Sequence, residues 1–306
     1  NVNAWGIEIK GGIQLAKSLY GEYVFSEDIV NNWTHIAFTY EKNNKECLLY
    51  INGNLVYTIN DQSLNEHVSN SFLPLTIRAI VGKGWGQGPT HSQNFQSMLG
   101  SVPGLKVYFP FNSNDIFNVL YHSIFDPNPV VIIEHRWLYE LESKIILQKK
   151  IKPVEKVSSG NKGTIVCIGN TVLDAHIIEK IFSQKKIKFD IIKILSINPL
   201  RVDTIVNSVR KTKNLILLEP ANKTMSVSSE ILARVHTSGI SFKSKIISNE
   251  EMPIPTSFYL ADKAYPQIKK SIKTICNFLS IKSNFDMSKF NQKLHDIPNK
   301  NFKGPF

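Results

Sequence analysis

Gly82-Lys-Gly-Trp-Gly-Gln-Gly-Pro-Thr-His91-Ser-Gln93 carries glycine at four alternating positions, Gly82, Gly84, Gly86 and Gly88. Glycine loses more backbone entropy on ordering than any other residue, so this stretch sustains neither a helix nor a central strand. It reads as a loop. An apolar run, Leu73-Pro-Leu-Thr-Ile-Arg-Ala-Ile-Val81, precedes it with strand character, and Ser92-Gln-Asn-Phe-Gln-Ser-Met-Leu99 follows with helical character, so a helix is expected over about 91–100. In open α/β sheets, a loop leaving the carboxyl end of a strand is where ligands bind. This one ends in Thr90, His91, Ser92 and Gln93 at a helix start. His91 is therefore the candidate catalytic residue, because an imidazole can give or take a proton, or hydrogen-bond a developing oxyanion, near neutral pH.

Downstream, strand-like Leu105-Lys-Val-Tyr-Phe109 and Val130-Val-Ile-Ile-Glu134 flank a helical pattern at 113–125. Alternation of strands and helices of this length predicts a parallel sheet and an α/β fold. Residues 142–162, with Lys149, Lys150, Lys152, Lys156, Pro153 and Ser158-Ser-Gly160, are polar and read as a linker with room for one strand. A second series follows, with strands at 163–169, 189–195, 214–219 and 244–247 and helices at 171–184, 203–211, 226–236 and 266–279. Residues 1–60 differ in kind. Trp33-Thr-His-Ile-Ala-Phe-Thr-Tyr40 alternates in the strand manner, and Asn52-Gly53 between two apolar runs is a hairpin signal, since both turn positions require positive φ. The lysine- and asparagine-rich tail, 281–306, is expected to be disordered.

With 306 residues, the chain can form two domains that each bury a core. Its net charge of +11 comes from scattered Lys and Arg. No basic run is interleaved with aromatics as in a nucleic-acid-binding module, so the charge reads as a solvated surface, suited to anionic substrates or an acidic partner. Cys47, Cys167 and Cys276 lack metal-ligand spacing, and the last two sit in apolar runs, so buried thiols in a reducing compartment are expected. No apolar run approaches the roughly 18 residues of a membrane span. The chain opens on Asn1 rather than Met, so an upstream start is expected.

Several motifs taken together carry a resemblance: Gly-Gln-Gly-Pro-Thr-His-Ser-Gln at 86–93, Val-Pro-Gly-Leu-Lys-Val at 102–107, Asp126-Pro-Asn-Pro-Val-Val131 and Glu134-His-Arg-Trp-Leu-Tyr139. In order and spacing they resemble the beta subunit of the 2-oxo-acid (pyruvate-type) dehydrogenases, in the transketolase-like, thiamine-diphosphate-dependent superfamily. From about Gly163 to Leu279 the chain is further similar to the transketolase C-terminal domain. The resemblance thus divides the chain into a β segment (1–60), a partial pyrimidine-binding domain (61–141), the linker (142–162), a transketolase C-terminal domain (163–280) and the tail. The β segment itself resembles a laminin-G or concanavalin-like sandwich at about half the usual length, without a calcium-ligand cluster.

What the resemblance implies can be stated residue by residue. The His of the His-Ser-Gln motif, His91 here, faces the cofactor's thiazolium and the 2-oxo-acid substrate. Ser123, Ile124, Asp126 and Asn128, with a carbonyl from Leu75, fall where many family members hold a potassium ion, although Ser123 departs from the usual Ala. Oxygen-only ligation suits such a hard cation, while a turn is the plain reading of Asp-Pro-Asn-Pro. Thiamine diphosphate is shared with a partner alpha-type subunit that carries its magnesium, and homodimerisation runs through the C-terminal domain. The substrate is a small 2-oxo acid or a sugar phosphate, and the compartment is the cytoplasm or an organelle matrix. The family's catalytic Glu lies in the first half of the pyrimidine-binding domain, and Glu27 matches it too superficially to carry the role. Glu219, at a strand end, reads as structural or as a subunit contact. The other histidines, His135 among them, read as structural or exposed. A truncated beta-subunit relative is therefore the first expectation, and a non-catalytic assembly or glycan-binding fusion protein is the alternative.

Overall fold

A computed structural model of the chain describes residues 5–9, 34–41, 46–51, 54–60, 73–83, 88–139, 143–282 and 284–286. They fall into two units, Asn1–Phe72 and Leu73–Phe306. In the first, β1 (Trp5–Ile9), β2 (Thr34–Glu41), β3 (Glu46–Ile51) and β4 (Asn54–Asn60) form one antiparallel sheet in sequence order. Ile51 pairs with Asn54, so β3 and β4 form a hairpin across 52–53, which lie outside the described residues. Glu27, the inner glycine loop at 84–87 and the tail from 287 lie outside them too.

The second unit opens with β5 (Thr76–Val81), α1 (Gly88–Ser92), α2 (Gln96–Gly100), β6 (Lys106–Tyr108), α3 (Ser113–Ile124) and β7 (Val130–His135). A 3-10 turn at Arg136–Leu138 closes this half. The other half comprises β8 (Val154–Ser158), β9 (Thr164–Ile168), α4 (Thr171–Ser183), β10 (Asp190–Ile194), β11 (Ser196–Asn198), α5 (Asp203–Thr212), β12 (Asn214–Asn222), α6 (Val227–Thr237), β13 (Lys243–Asn249), α7 (Phe258–Ala264) and α8 (Ile268–Leu279). β8 lies in the stretch read from sequence as a linker. It pairs antiparallel with β10 at the edge of the sheet β13-β12-β9-β10-β8, whose other pairings are parallel.

Every residue of β7 and of β9 is buried. Runs so rich in β-branched residues belong to strands covered on both faces, and each of these strands is flanked by a parallel neighbour on either side. The first sheet has the order β11-β6-β7-β5. Its edge strand β11 follows directly on β10, crosses over from the other half of the unit and pairs antiparallel with β6, with Phe109 N–H donating to Leu195 O at 2.8 Å. The two larger apolar clusters draw side chains from the two halves, one joining Ile132 to Ile165 and Ile191, the other joining Ile133 to Val166 and Leu217. Gly169 marks one close approach of the two halves. It takes φ +53, and a Cβ there would lie 2.4 Å from the Phe109 ring. Only glycine meets both demands.

The helix expected over 91–100 is two short helices, with 93–95 unwound between them. The side chains of that corner are committed to tertiary hydrogen bonds, which local propensity does not register. α3 runs as expected. Its N-cap Asn112 accepts a hydrogen bond from Asp115 N–H at 2.9 Å, satisfying one of the orphan donors of the first turn.

Candidate functional site

α1 carries His91 beyond the carboxyl end of β5, and the imidazole is exposed. Its backbone is fixed, since Gly82 N–H donates to His91 O at 3.0 Å. Gly88 opens the helix at φ +61 against the 254–256 loop, where a Cβ would lie 2.8 Å from Thr256 Cγ2. The corner between α1 and α2 is then clamped from the other half of the unit. Asn94 Nδ2 donates to Pro220 O at 2.7 Å, and Gln96 Nε2 donates to Glu219 Oε1 at 2.6 Å.

Glu219 itself is buried, and its Oε2 accepts from Ser228 N–H at 2.9 Å. Burial pushes this carboxyl above its usual range, outweighing the hydrogen bonds from Ser228 and Gln96 that pull it down. A raised carboxyl contributes stability that is complete below its unfolded pKa and is lost as pH rises. Glu219→Gln is therefore expected to raise stability at pH 7 and to leave it unchanged near pH 4. Urea unfolding at the two pH values measures this, and a loss at pH 7 would mean that the clamp requires the charge.

Behind the clamp, the carboxyl ends of β5, β7, β9, β12 and β13 face one another across a cavity of about 10 Å³, the size of a single water. Lys83, His135, Asn170, Asp174, Glu219 and Tyr265 line it. The Lys83 ammonium sits 4.7 Å from the Tyr265 ring centroid and 5.6 Å from that of Trp137, within cation–π range. His135 Nδ1 accepts from Trp137 N–H at 3.2 Å, which leaves the ring proton on Nε2. That Nε2 and Asn170 Oδ1 have no hydrogen-bond partner among the described residues. Burial, assisted by the nearby charges of Lys83 and Arg136, pushes the His135 imidazole down to about 3. Desolvation pushes the Asp174 carboxyl up, against the pull of Lys83. Apart from Glu219, sequence reading did not single out these residues as a group. Their shared signal is position, since Lys83, His135, Asn170, Glu219 and Asn249 each lie near the carboxyl end of a parallel strand.

The residues matched to a potassium site converge where α3 ends beside β5 and β7, and several of their oxygens accept hydrogen bonds. Leu75 O accepts from Val130 N–H at 2.7 Å, and Ser123 O accepts from Thr76 Oγ1 at 3.0 Å. Asp126 is ion-paired with Lys106 and accepts from Asn128 N and Nδ2 at 3.0 Å each. Burial alone would push the Asp126 carboxyl up, yet Lys106 and Asn128 hold it below the usual carboxylate range. The lysine ammonium thus neutralises the one carboxylate among these residues. Ile124 stands here as the last residue of α3.

Two adjacent domain models match this architecture. The transketolase pyrimidine-binding domain matches residues 44–142, and the transketolase C-terminal domain matches 153–265. The chain belongs to the transketolase-like family. Within it, the chain is similar to the mitochondrial pyruvate dehydrogenase E1 component subunit beta of Saccharomyces cerevisiae, 30% identical over 68% of this chain and 60% of that one. The Bos taurus counterpart is 29% identical, covering 68% and 61%. The acetoin:2,6-dichlorophenolindophenol oxidoreductase subunit beta of Bacillus subtilis is 28% identical, covering 68% and 62%. The transketolase-like chain thus spans about three fifths of the length of these relatives. Among solved structures it resembles a chain titled split gene transketolase, inactive beta4 tetramer, with a TM-score of 0.57 and 16% identity over 69% and 68% of the two chains, a likeness of fold. The pyrimidine-domain match begins at 44, inside the stretch read as a laminin-G-like segment, and residues 1–43 fall outside both models.

Proposed function

We propose that this chain supplies the histidine-bearing half of a thiamine-diphosphate-dependent 2-oxo-acid dehydrogenase site, completed by an alpha-type subunit that holds the diphosphate and its magnesium. The observation that carries this reading is an exposed His91 on α1, its carbonyl tied to Gly82 N–H and the following corner clamped by the side chains of Asn94 and Gln96. Rigid support behind an exposed imidazole suits a group that addresses a ligand held by a facing surface. The similarity to beta subunits of pyruvate dehydrogenase supports the reaction class.

Thiamine diphosphate, when bound, supplies the carbon nucleophile and the electron sink for decarboxylation. His91 holds or moves a proton at an imidazole nitrogen beside the 2-oxo group, and α1 orients it. The Glu219 and Pro220 clamp keeps α1 and α2 in register with the C-terminal half, through which the chain pairs with a second copy. A small 2-oxo acid suits the site. Among the described residues no helix is long and apolar enough to cross a membrane, in keeping with work in the cytoplasm or an organelle matrix. The opposing reading, a non-catalytic assembly protein, draws on the three-fifths span of the relatives.

A mixture of the chain with an alpha-type subunit, thiamine diphosphate, magnesium, pyruvate and dichlorophenolindophenol as electron acceptor separates the two. Dye reduction is expected, and His91→Ala should lower kcat by about 10²-fold or more with an unchanged melting curve. Wild-type turnover by His91→Ala would remove the histidine from the site. A folded chain that supports no turnover would favour assembly.

A further inference from the structure

We propose that segment 143–149 is a docking edge, to which an extended peptide of a partner protein, alternating apolar and acidic residues, adds as a strand. The segment runs beside α3, and alternate residues address that helix. Ile146 N–H donates to Asn114 Oδ1 at 2.8 Å and its carbonyl accepts from Asn118 Nδ2 at 2.9 Å. Gln148 N–H donates to Asn118 Oδ1 at 2.7 Å, and its carbonyl accepts from His122 Nε2 at 2.8 Å. Asn114, Asn118 and His122, each one helical turn apart, thus serve one edge of the segment as a neighbouring strand would. The backbone groups of Ile145 and Leu147 have no partner among the described residues, and in an extended chain they point the opposite way. That is an open strand edge.

Two features say what it would take. Ile145 and Leu147 are 53% and 54% exposed, and alongside them α3 turns a second apolar stripe outward, opposite the buried Val119. Phe117, Tyr121 and Phe125 follow at i, i+4 and i+8, with successive ring centroids 6.4 and 5.4 Å apart. A surface helix needs one apolar face, and a second one contiguous with an exposed aliphatic segment marks an interaction surface. Lys144, Lys149, Lys150 and Lys152 border the patch, all exposed, and no carboxylate among the described residues is ion-paired with them. A second copy would bring these lysines against their own kind. An acidic strand satisfies both the charge and the free backbone groups, as in β-augmentation.

The test uses the full chain and a fluorescein-labelled, acetylated octapeptide of alternating valine and glutamate, read by fluorescence anisotropy. Saturable binding is expected, absent for the peptide with lysine in place of glutamate. Lys144→Glu combined with Lys149→Glu, Tyr121→Lys, and Leu147→Pro, which removes only an outward N–H, should each weaken it by about tenfold or more at an unchanged melting temperature. Should the proline variant fail to fold, the paired charge reversal decides. Equal binding of both peptides, or binding indifferent to these variants, would overturn the proposal. So would binding to phosphatidylserine vesicles without peptide binding, or self-association abolished by Tyr121→Lys without peptide binding.

Discussion

Replacing Lys193 by alanine is expected to destabilise the chain by about 3–5 kcal/mol, the range for breaking a buried ion pair by deleting one partner. Lys193 lies on β10 within an apolar run, yet its ammonium reaches Asp115 Oδ2 at 2.9 Å and Glu155 Oε2 at 2.8 Å, and lies 5.3 Å from the Phe111 ring centroid. The side chains of Lys193 and Asp115 are both 8% exposed, whereas Glu155 is 43% exposed and contributes less. Burial alone would lower the Lys193 pKa, but the carboxylates of Asp115 and Glu155 outweigh it and raise the value above that of a free lysine. A raised lysine contributes stability that is present below its unfolded pKa and is lost as pH climbs through the folded one, so the pair is intact at neutral pH. Without the ammonium, the Asp115 carboxylate at the start of α3 is left buried and uncompensated. Urea unfolding of Lys193→Ala measures the loss. Lys193→Met with Asp115→Leu should recover most of it, because an apolar pair of similar volume removes the orphaned charge. A single-variant loss below about 1 kcal/mol would mean that the two halves are not joined through this pair.

Acid should unfold the protein through His135. Its folded pKa of about 3 lies below the ordinary 6.5, so between those values the unfolded chain takes up a proton that the folded chain refuses. The contribution is present above pH 6.5 and is lost as pH falls from 6.5 toward 3, amounting at most to about 4–5 kcal/mol at 1.36 kcal/mol per unit. Glu219 and Asp174, both raised, titrate with the opposite sign in the acid range, so the difference between wild type and variant is the informative quantity. His135→Asn keeps an acceptor for Trp137 N–H and removes the titration. Its stability curve should be flatter than wild type between pH 6.5 and 4, and parallel curves would show that the imidazole is not shielded as the cavity implies.

Much of this architecture was legible because it is written in consecutive residues. The apolar runs of β7 and β9 and the helical pattern of α3 act locally, through burial and side-chain periodicity. What was not legible depends on distant partners. The α1–α2 break follows from Asn94 and Gln96 binding β12, more than 120 residues away. β11 is three residues whose pairing with β6 no local pattern announces. A lysine inside Ile-Ile-Lys-Ile-Leu signals a buried partner, but Asp115 is 78 residues distant. The polar cavity draws one residue from each of several strands, so it exists only once both sheets are assembled. The partner of Asp126 was hidden in the same way: Lys106 stands 20 residues before it, and their pairing is visible only in three dimensions.

The most direct measurement is calorimetric titration of thiamine diphosphate, with magnesium, into the chain alone and into the chain mixed with an alpha-type subunit. Binding in the mixture and not in the chain alone, with turnover that His91→Ala abolishes, is the predicted result. A folded chain that gives no heat in either titration would contradict the assignment of a half-site and leave an assembly module.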